Sequence, residues 1–535
     1  MVSNPTTDPA TGTASTAVDV PKNPTVESKP TNVTLVFVAL MTTMLMSSLG
    51  QMIFGAALPT IVGELGGVEH MSWVITAFLV TMTIAMPISG KIGDLVGRKW
   101  LYVASIAIFV IGSAVGGFAD SITVLILGRA IQGLGAGSMM INSQAIMAEV
   151  TTARERGKYM GYMGAVFGVS SVLGPVLGGW FTDGPGWRWG LWMNIPLGLL
   201  AITVATLVLN LRTGQAQWRH FDWIGTLLLA VSTASLILLT TWGGTQYEWG
   251  STMIISLAVL TVVTAVAFVL AELHSTDPLI RMGLFRNRNM VLTTIAGTIL
   301  GVAMMGALAY LPTYLQMVHT MTPTSAGLMM IPMMIGMLGT STIIGNVIAR
   351  TGIYKPYPII GMFTTAVALY LFSTLEATTS LTVIGIYFFI FGFGLGMVMQ
   401  VLVLIVQNSF PITMVGTATA SNNFFRQVGS ALGASIVGSV FVHNLQDKMA
   451  LNLPAAFAQM GEQGKAFAQK FAEPDGSNRL TPQAVAELPG PIRDAVLVSY
   501  NDGLVPIFLY MVPLAVIAGL VLFGVRREKL KETID

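Results

Sequence analysis

GKIGDLVGRK, residues Gly90 to Lys99, sets three glycines, one carboxylate and three cations between two long apolar stretches. Gly90, Gly93 and Gly97 let two helices meet through a tight turn. Arg98 and Lys99 hold its charged side out of the lipid. Asp94 can accept hydrogen bonds from a basic side chain or from a helix N-terminus, which makes this loop a candidate gate between parts that rock against each other. A second loop, GNVIARTGIYK (Gly345 to Lys355), repeats the frame, because Gly345 and Gly352 keep the offset of Gly90 and Gly97. Each loop follows the second helix of a six-helix block. The expected layout is therefore two related bundles, 33–210 and 289–525, flanking a linker, 211–288, with two extra helices. Duplicated halves around a midplane site are the usual build of alternating-access carriers.

Composition agrees with that layout. Of 535 residues 53% are hydrophobic and only 10% are charged, against about 25% charged in soluble proteins. The apolar residues suffice for about fourteen spans of ~20 residues, an all-α integral membrane protein. Spans are expected at 33–58, 71–90, 100–118, 122–148, 157–182, 188–210, 221–243, 252–273, 289–318, 325–349, 356–375, 379–409, 415–446 and 501–525. Loops after even-numbered spans carry Lys91, Arg98, Arg154, Arg212, Arg281 and Arg350 among others, whereas the short loops on the other side carry only Arg188. By the positive-inside rule both termini are cytoplasmic. Residues 1–32 and 526–535 read as tails, the first disordered, and 447–500 as an outer loop whose Ala455–Phe471 stretch caps the outer mouth, lies on the membrane or acts as a tether. A net charge of +2 gives no reason to expect nucleic acid. Zero cysteines and five scattered histidines point to no metal site, and no phosphate-binding loop or catalytic cluster suggests ATP, a cofactor or an enzyme.

Charge inside the spans is where function is sought, since an intramembrane ion needs a reason. Arg129 sits about seven residues inside the fourth span, with Gln132 and Gln144 on the same polar helix face, expected to line a central cavity. Arg426 and Asn422 repeat this logic in the thirteenth span, and Gln51 and Gln316 are further cavity-lining candidates. The fifth span is dense in small residues, which permits close helix contact and a proline bend.

The motifs GDLVGRK (Gly93–Lys99), LGRAIQGLGAG (Leu127–Gly137), LGPVLGG (Leu173–Gly179) and WRWGLWMNIPLG (Trp187–Gly198) occur in order. With them, the chain resembles the major facilitator superfamily, specifically its fourteen-helix drug:H+ antiporter branch of QacA/EmrB type. The resemblance implies a gating role for Asp94, proton coupling through Arg129, and an antiporter motif at Gly164, Gly168, Gly174, Pro175, Gly178 and Gly179. It further implies multidrug efflux of amphiphilic small molecules by proton antiport, in the plasma membrane of a bacterium, by a monomer in contact with lipids. One departure bears on mechanism. Where the family's first helix reads like LDxTIVNxALP, this chain reads LGQMIFGAALP, with Gly50 in the acid's place. No other carboxylate is expected near midplane, so coupling either falls to Asp94 or Glu149 at the cytoplasmic ends or is absent, and neutral, zwitterionic or anionic substrates gain over cations. An exporter of one cell-envelope lipid or metabolite is the alternative, and a non-transporting scaffold or sensor the reading of another class.

Overall fold

The computed structural model describes residues 33–65, 70–209, 221–244, 246–461 and 487–530, with positions 211, 464, 467, 468 and 485. The expected tail 1–32, the stretch 212–220, most of 462–486 and the terminal 531–535 lie outside the described residues. Helices follow as α1 (Val33–Leu65), α2 (Met71–Val96), α3 (Arg98–Gly117), α4 (Ile122–Val150), α5 (Ala153–Asp183), α6 (Trp189–Trp192), α7 (Asn194–Val208), α8 (Trp223–Trp242) and α9 (Thr252–His274). After a 3-10 turn at Met282–Arg286 come α10 (Arg288–Leu308), α11 (Leu311–Val318), α12 (Pro323–Met329), α13 (Ile331–Thr351), α14 (Pro356–Phe372), α15 (Leu381–Asn408), α16 (Val415–Gln459) and α17 (Gly490–Phe523). Among the described residues the only β feature is an isolated bridge between Gly243 and Tyr247.

Among the described residues thirteen helical segments are long and apolar enough to cross a membrane, and the shorter apolar helix Pro356–Phe372 stands at the remaining expected span. The expected boundaries fail where proline intervenes. The sixth span is split into α6 and α7 ahead of Pro196, the ninth into α10 and α11 ahead of Pro312, and the tenth into α12 and α13 next to Pro332. Proline brings no N–H to the helical ladder and crowds the preceding turn. The thirteenth span does not stop at 446: α16 runs on to Gln459, carried by the good helix formers Lys448, Met449, Ala450 and Leu451, and α17 begins at Gly490 rather than 501.

Packing follows small residues, because lipid offers apolar side chains no incentive to leave it. Helices α1 to α5 and α7 surround one apolar cluster centred on Leu40, Phe78 and Phe109, which also takes in Val403 of α15 and Ala420 of α16. Helices α10 to α17 surround another, in which the Phe372 ring meets those of Phe391 and Phe508 at 5.4 Å between centroids. The pair α8 and α9 lies outside both, against α2 and α16. Its helix starts are capped by Asp222, which accepts from Gly225 N at 2.7 Å, and by Ser251. The linker behind α9 is fixed by the Glu272 carboxylate, which accepts from Leu279 N at 3.2 Å and Ile280 N at 3.1 Å, and by an ion pair between Asp277 and Lys91 of α2. One face of the molecule thus carries Lys91, Arg98 and Arg154 and is called the basic face below; the turn 246–251 between α8 and α9, called the hairpin below, marks the opposite face.

Candidate functional site

Gly97 turns the chain between α2 and α3 with φ 94°, a conformation open to glycine and costly for other residues. That turn folds Arg98 back onto Asp94 of the preceding helix, Nη2 to Oδ1 at 2.6 Å, with both side chains nearly buried. The second carboxylate oxygen of Asp94 accepts from the backbone N–H and the hydroxyl of Thr417, each at 2.8 Å. Thr417 lies in the first turn of α16, whose N-cap Met414 offers no side-chain cap. Asp94 therefore caps, from another part of the fold, a helix end whose orphan N–H groups and positive dipole favour a carboxylate. Arg98 also donates to the carbonyls of Ala145 (3.1 Å) and Ile412 (3.3 Å) and pairs with Glu149 at 3.5 Å. Lys99 instead donates to Thr206 O at 2.8 Å. The fit is close: a Cβ on Gly90 would collide with Ala420 and lie 2.8 Å from Gly416 O, and one on Gly93 would lie 3.0 Å from Asn142 Oδ1.

A second tie crosses the basic face with the opposite polarity. Arg154, at the start of α5, donates from Nε to Ala349 O at 2.9 Å and from Nη2 to Arg350 O at 2.7 Å, satisfying carbonyls at the C-terminal end of α13. A cation thus meets the negative end of one helix where Asp94 meets the positive end of another. Sequence reading counted Arg154 only as a topology charge. The signal that could have found it is Gly352, which ends α13 in the left-handed region and leaves carbonyls in want of a donor. Replacing Arg154 by alanine should cut transport about threefold to tenfold, by removing two charge-assisted bonds of about 1.5 kcal/mol each at a partly exposed site. Unchanged initial rates in proteoliposomes at equal protein would reject that role.

Between the two ties the helix sets meet along α5 and α13. Gly161 packs on Ser341 and Gly345, Gly164 on Ser341 and Gln400, and Gly168 on Met337. The rest of the glycine motif serves otherwise: Gly174 packs on Met52 of α1, Pro175 lies near Gly327, Gly178 is buried, and Gly179 faces space. Deeper in, Gln144 joins the sets as a hub, since its backbone oxygen accepts from Gln407 Nε2 (3.2 Å) and its side-chain oxygen from Asn423 Nδ2 (2.9 Å).

The two membrane arginines differ. Arg129 is fully buried among α1, α2 and α4: its Nη1 donates to Gly50 O (2.8 Å) and Gln132 Oε1 (2.6 Å), its Nε to Val74 O (3.2 Å). The Phe54 and Phe78 rings lie 4.2 Å from its Cζ. Two π faces and three oxygens thus take the place of a counter-ion. In this structure the polar face of α4 is met by neighbouring helices. Gln132 turns to Ser113 Oγ (2.9 Å), Gln144 is taken up as the hub, Asn422 packs on Thr294 (3.4 Å), and Gln316 bonds back to Pro312 O (3.3 Å). Helical periodicity placed these polar atoms on faces, and the bundle interior claimed those faces. Gln51 and Arg426 do line a central cavity, with Ser47, Gln400 and several methionines. Arg426 donates to Asn423 Oδ1 and makes no ion pair among the described residues. Both amide atoms of buried Gln400, and Nε2 of Gln427, lack partners. Gln400 is one of the intramembrane amides that the sequence offers as hydrogen-bonding candidates for substrate, whereas Gln427 is not singled out by it.

That central cavity holds about 20 Å³, room for little more than one water. Adjoining it toward the opposite face is a chamber of about 290 Å³ between α2, α8, α10 and α16, and Gln51, Met305, Gln427 and Ser430 line both. Neither is lined by a carboxylate.

Helix sets that close on each other through helix-end charges at one face, and enclose hollow space toward the other, define a membrane carrier. The Major Facilitator Superfamily model matches residues 40–434, and the chain belongs to that family of transporters. The multidrug transporter protein MdtP of Bacillus subtilis (strain 168) is 34% identical over 470 residues, 86% of each chain. Multidrug resistance protein 3 of the same strain is 30% identical, over 96% of this chain and 98% of the relative. The solved proton:xylose symporter XylE shares the fold, with a TM-score of 0.60 at 13% identity over 93% of this chain and 98% of that one.

Proposed function

We propose that the protein exports hydrophobic or amphiphilic small molecules across a bacterial plasma membrane by alternating access, in antiport with protons. The observation that carries this reading is the asymmetry of closure: Asp94 and Arg154 tie the basic face shut on two helix ends while hollow space remains toward the opposite face. With the basic loops and both termini cytoplasmic, that is a carrier closed to the inside. The names of its Bacillus subtilis relatives support efflux as the direction. Asp94 and Glu149, both on Arg98, are the carboxylates placed to exchange protons as the basic face opens. Proteoliposomes with an imposed pH gradient test this. Proton flux that requires an added cationic dye, neutral antibiotic or anionic amphiphile supports antiport, and silence across all three rejects it. The envelope-lipid reading is favoured over drugs if only the anionic probe is carried, as the carboxylate-free cavities suggest.

Gly50 gives a sharper test. A Cβ there would lie 3.2 Å from the Phe109 ring and 3.6 Å from Gln132 Nε2, beside Arg129, whose Nη2 has no hydrogen-bond partner. An aspartate at 50 would pair with that guanidinium and lower the positive potential around the cavity. Gly50→Asp should raise export of a cationic dye about threefold to tenfold and lower that of an anionic one. Equal rates for both dyes in the variant and the parent would refute the charge account.

A further inference from the structure

Helices α8 and α9 have no counterpart in a six-plus-six plan, and their placement assigns them work. The outer end of α8 is held to both helix sets: Trp242 stacks edge-on to Trp73 of α2 at 5.2 Å, and Ser435 of α16 donates to Thr240 O. The hairpin beyond α8 extends these ties, Gln246 Nε2 to Ser72 Oγ at 2.7 Å and Trp249 Nε1 to Ser439 Oγ at 2.8 Å. Thr240 and Thr241 thereby close the gap between α2 and α16, and they form the lateral wall of the 290 Å³ chamber. The outward side of the pair is bare, with Leu227 and Val262 65% and 63% exposed. What stands between the chamber and lipid is this one helix, fastened by a few side chains.

The chamber is mostly apolar, walled by Ile75, Leu79, Met305, Ala431 and Ala434 among others. Its volume of about 290 Å³ stands at the lower end of the range for ligand pockets, about 300 Å³, and has room for a slender chain. At its inner end lies the polar cluster already described, Arg426 without a carboxylate partner and the unpartnered amides of Gln400 and Gln427. Buried donors without acceptors are costly, and a ligand oxygen bearing negative charge would satisfy them.

Resting on the export reading above, we infer that the chamber binds the alkyl tail of a single-chain anionic amphiphile, its headgroup held at Arg426, Gln400 and Gln427. The central cavity widens to take that headgroup as the helix sets rock. Helix α8 is the wall that swings aside, so the amphiphile leaves sideways into the outer leaflet.

The chain has no cysteine, so one introduced thiol reports one place. Thr241→Cys, at the chamber, and Val262→Cys, on the lipid side of α9, are each labelled with bimane in the full-length protein in phosphatidylcholine nanodiscs. Alkanesulfonates of six to fourteen carbons and alkyltrimethylammonium ions of matched length are then titrated. The expected result is saturable binding seen at 241 and absent at 262, tightening with chain length, at least tenfold tighter for sulfonate than for ammonium. Arg426→Gln should abolish the charge preference and keep the length dependence. Identical responses at 241 and 262, equal affinity for both charges, or an Arg426→Gln variant that still prefers sulfonate would each overturn the assignment. A Thr240→Cys/Ser435→Cys pair, oxidised to pin α8 on α16, should keep sulfonate binding and lose sulfonate transport at least tenfold, restored by reductant; undiminished transport with the bridge formed overturns the moving wall. Binding without transport in the unmodified chain would reject the export reading and leave the site standing.

Discussion

Asp94→Asn lowers transport at least tenfold while the protein remains folded and inserted. Its carboxylate accepts three charge-assisted bonds, one from Arg98 and two from Thr417, and only 8% of the side chain is exposed. An amide keeps one oxygen, turns its other end into a donor facing the donors either of Arg98 or of α16, and gives up the charge that answers the helix dipole. At about 1.5 kcal/mol for each of two lost bonds, the closed basic face is disfavoured by roughly 3 kcal/mol, about a hundredfold in the equilibrium between closed and open. A carrier held at one end of its cycle turns over slowly whichever end it is. Efflux rates at equal membrane abundance measure the loss. Distances between spin labels on α2 and α16 at the basic face measure the cause, and should lengthen in the variant. Thr417→Val removes the hydroxyl bond and spares the backbone one, so its loss should be no more than about threefold. Normal export by Asp94→Asn, with unchanged distances, would remove the latch from the mechanism.

That latch could be read from sequence because its chemistry is local: Gly97 forces the turn, the turn brings Arg98 onto Asp94, and a carboxylate beside a turn seeks donors. What it meets, the uncapped start of α16, lies 323 residues away and has no sequence signature. The same limit hid Arg154, whose partners are main-chain carbonyls that look alike in any sequence. The spans were legible because hydropathy alone decides them, and the family was legible because its motifs fall in order. Helix breaks at Pro196, Pro312 and Pro332 were legible in principle, since proline fixes them, but a continuous apolar run concealed them. Arg129 shows a deeper limit. The 100° spacing of Gln132 and Gln144 establishes a polar face, yet a polar face turned toward a neighbouring helix and one turned toward a cavity have the same periodicity. Only the packing of Phe54 and Phe78 against the guanidinium decides between them. The role of α8 as a wall was invisible for the same reason, because Thr240 and Thr241 at the end of an apolar run carry no mark of what they cover.

Gly161→Val abolishes transport, with a loss of a hundredfold or more, whereas Gly179→Ala leaves it within twofold of the parent. Both glycines belong to one dense run in α5, and a motif alone gives no reason to separate them. Geometry does. At 161 an added Cβ would run into the Ser341 carbonyl oxygen and lie 3.2 Å from Gly345 Cα, both backbone atoms of α13 that cannot swing away. Valine adds two further methyl groups and forces α5 and α13 apart, straining the approach that Arg154 and Asp94 tie down on either side. The halves can then open at the basic face but cannot close it, so the cycle stops. At 179 the nearest atom to an added Cβ is Thr324 Oγ1 at 3.8 Å, ordinary contact distance, and alanine strengthens the helix there by about 1 kcal/mol relative to glycine. Gly345→Val should reproduce the block from the other side, because its Cβ would lie 2.6 Å from Gly157 O and 3.1 Å from Gly161 Cα. Efflux rates of the three variants, normalised to folded protein by size-exclusion profile, decide the matter. If Gly161→Val and Gly179→Ala transport alike, the glycines act through helix flexibility and not through the contact of α5 with α13, and closure at the basic face has to be sought elsewhere.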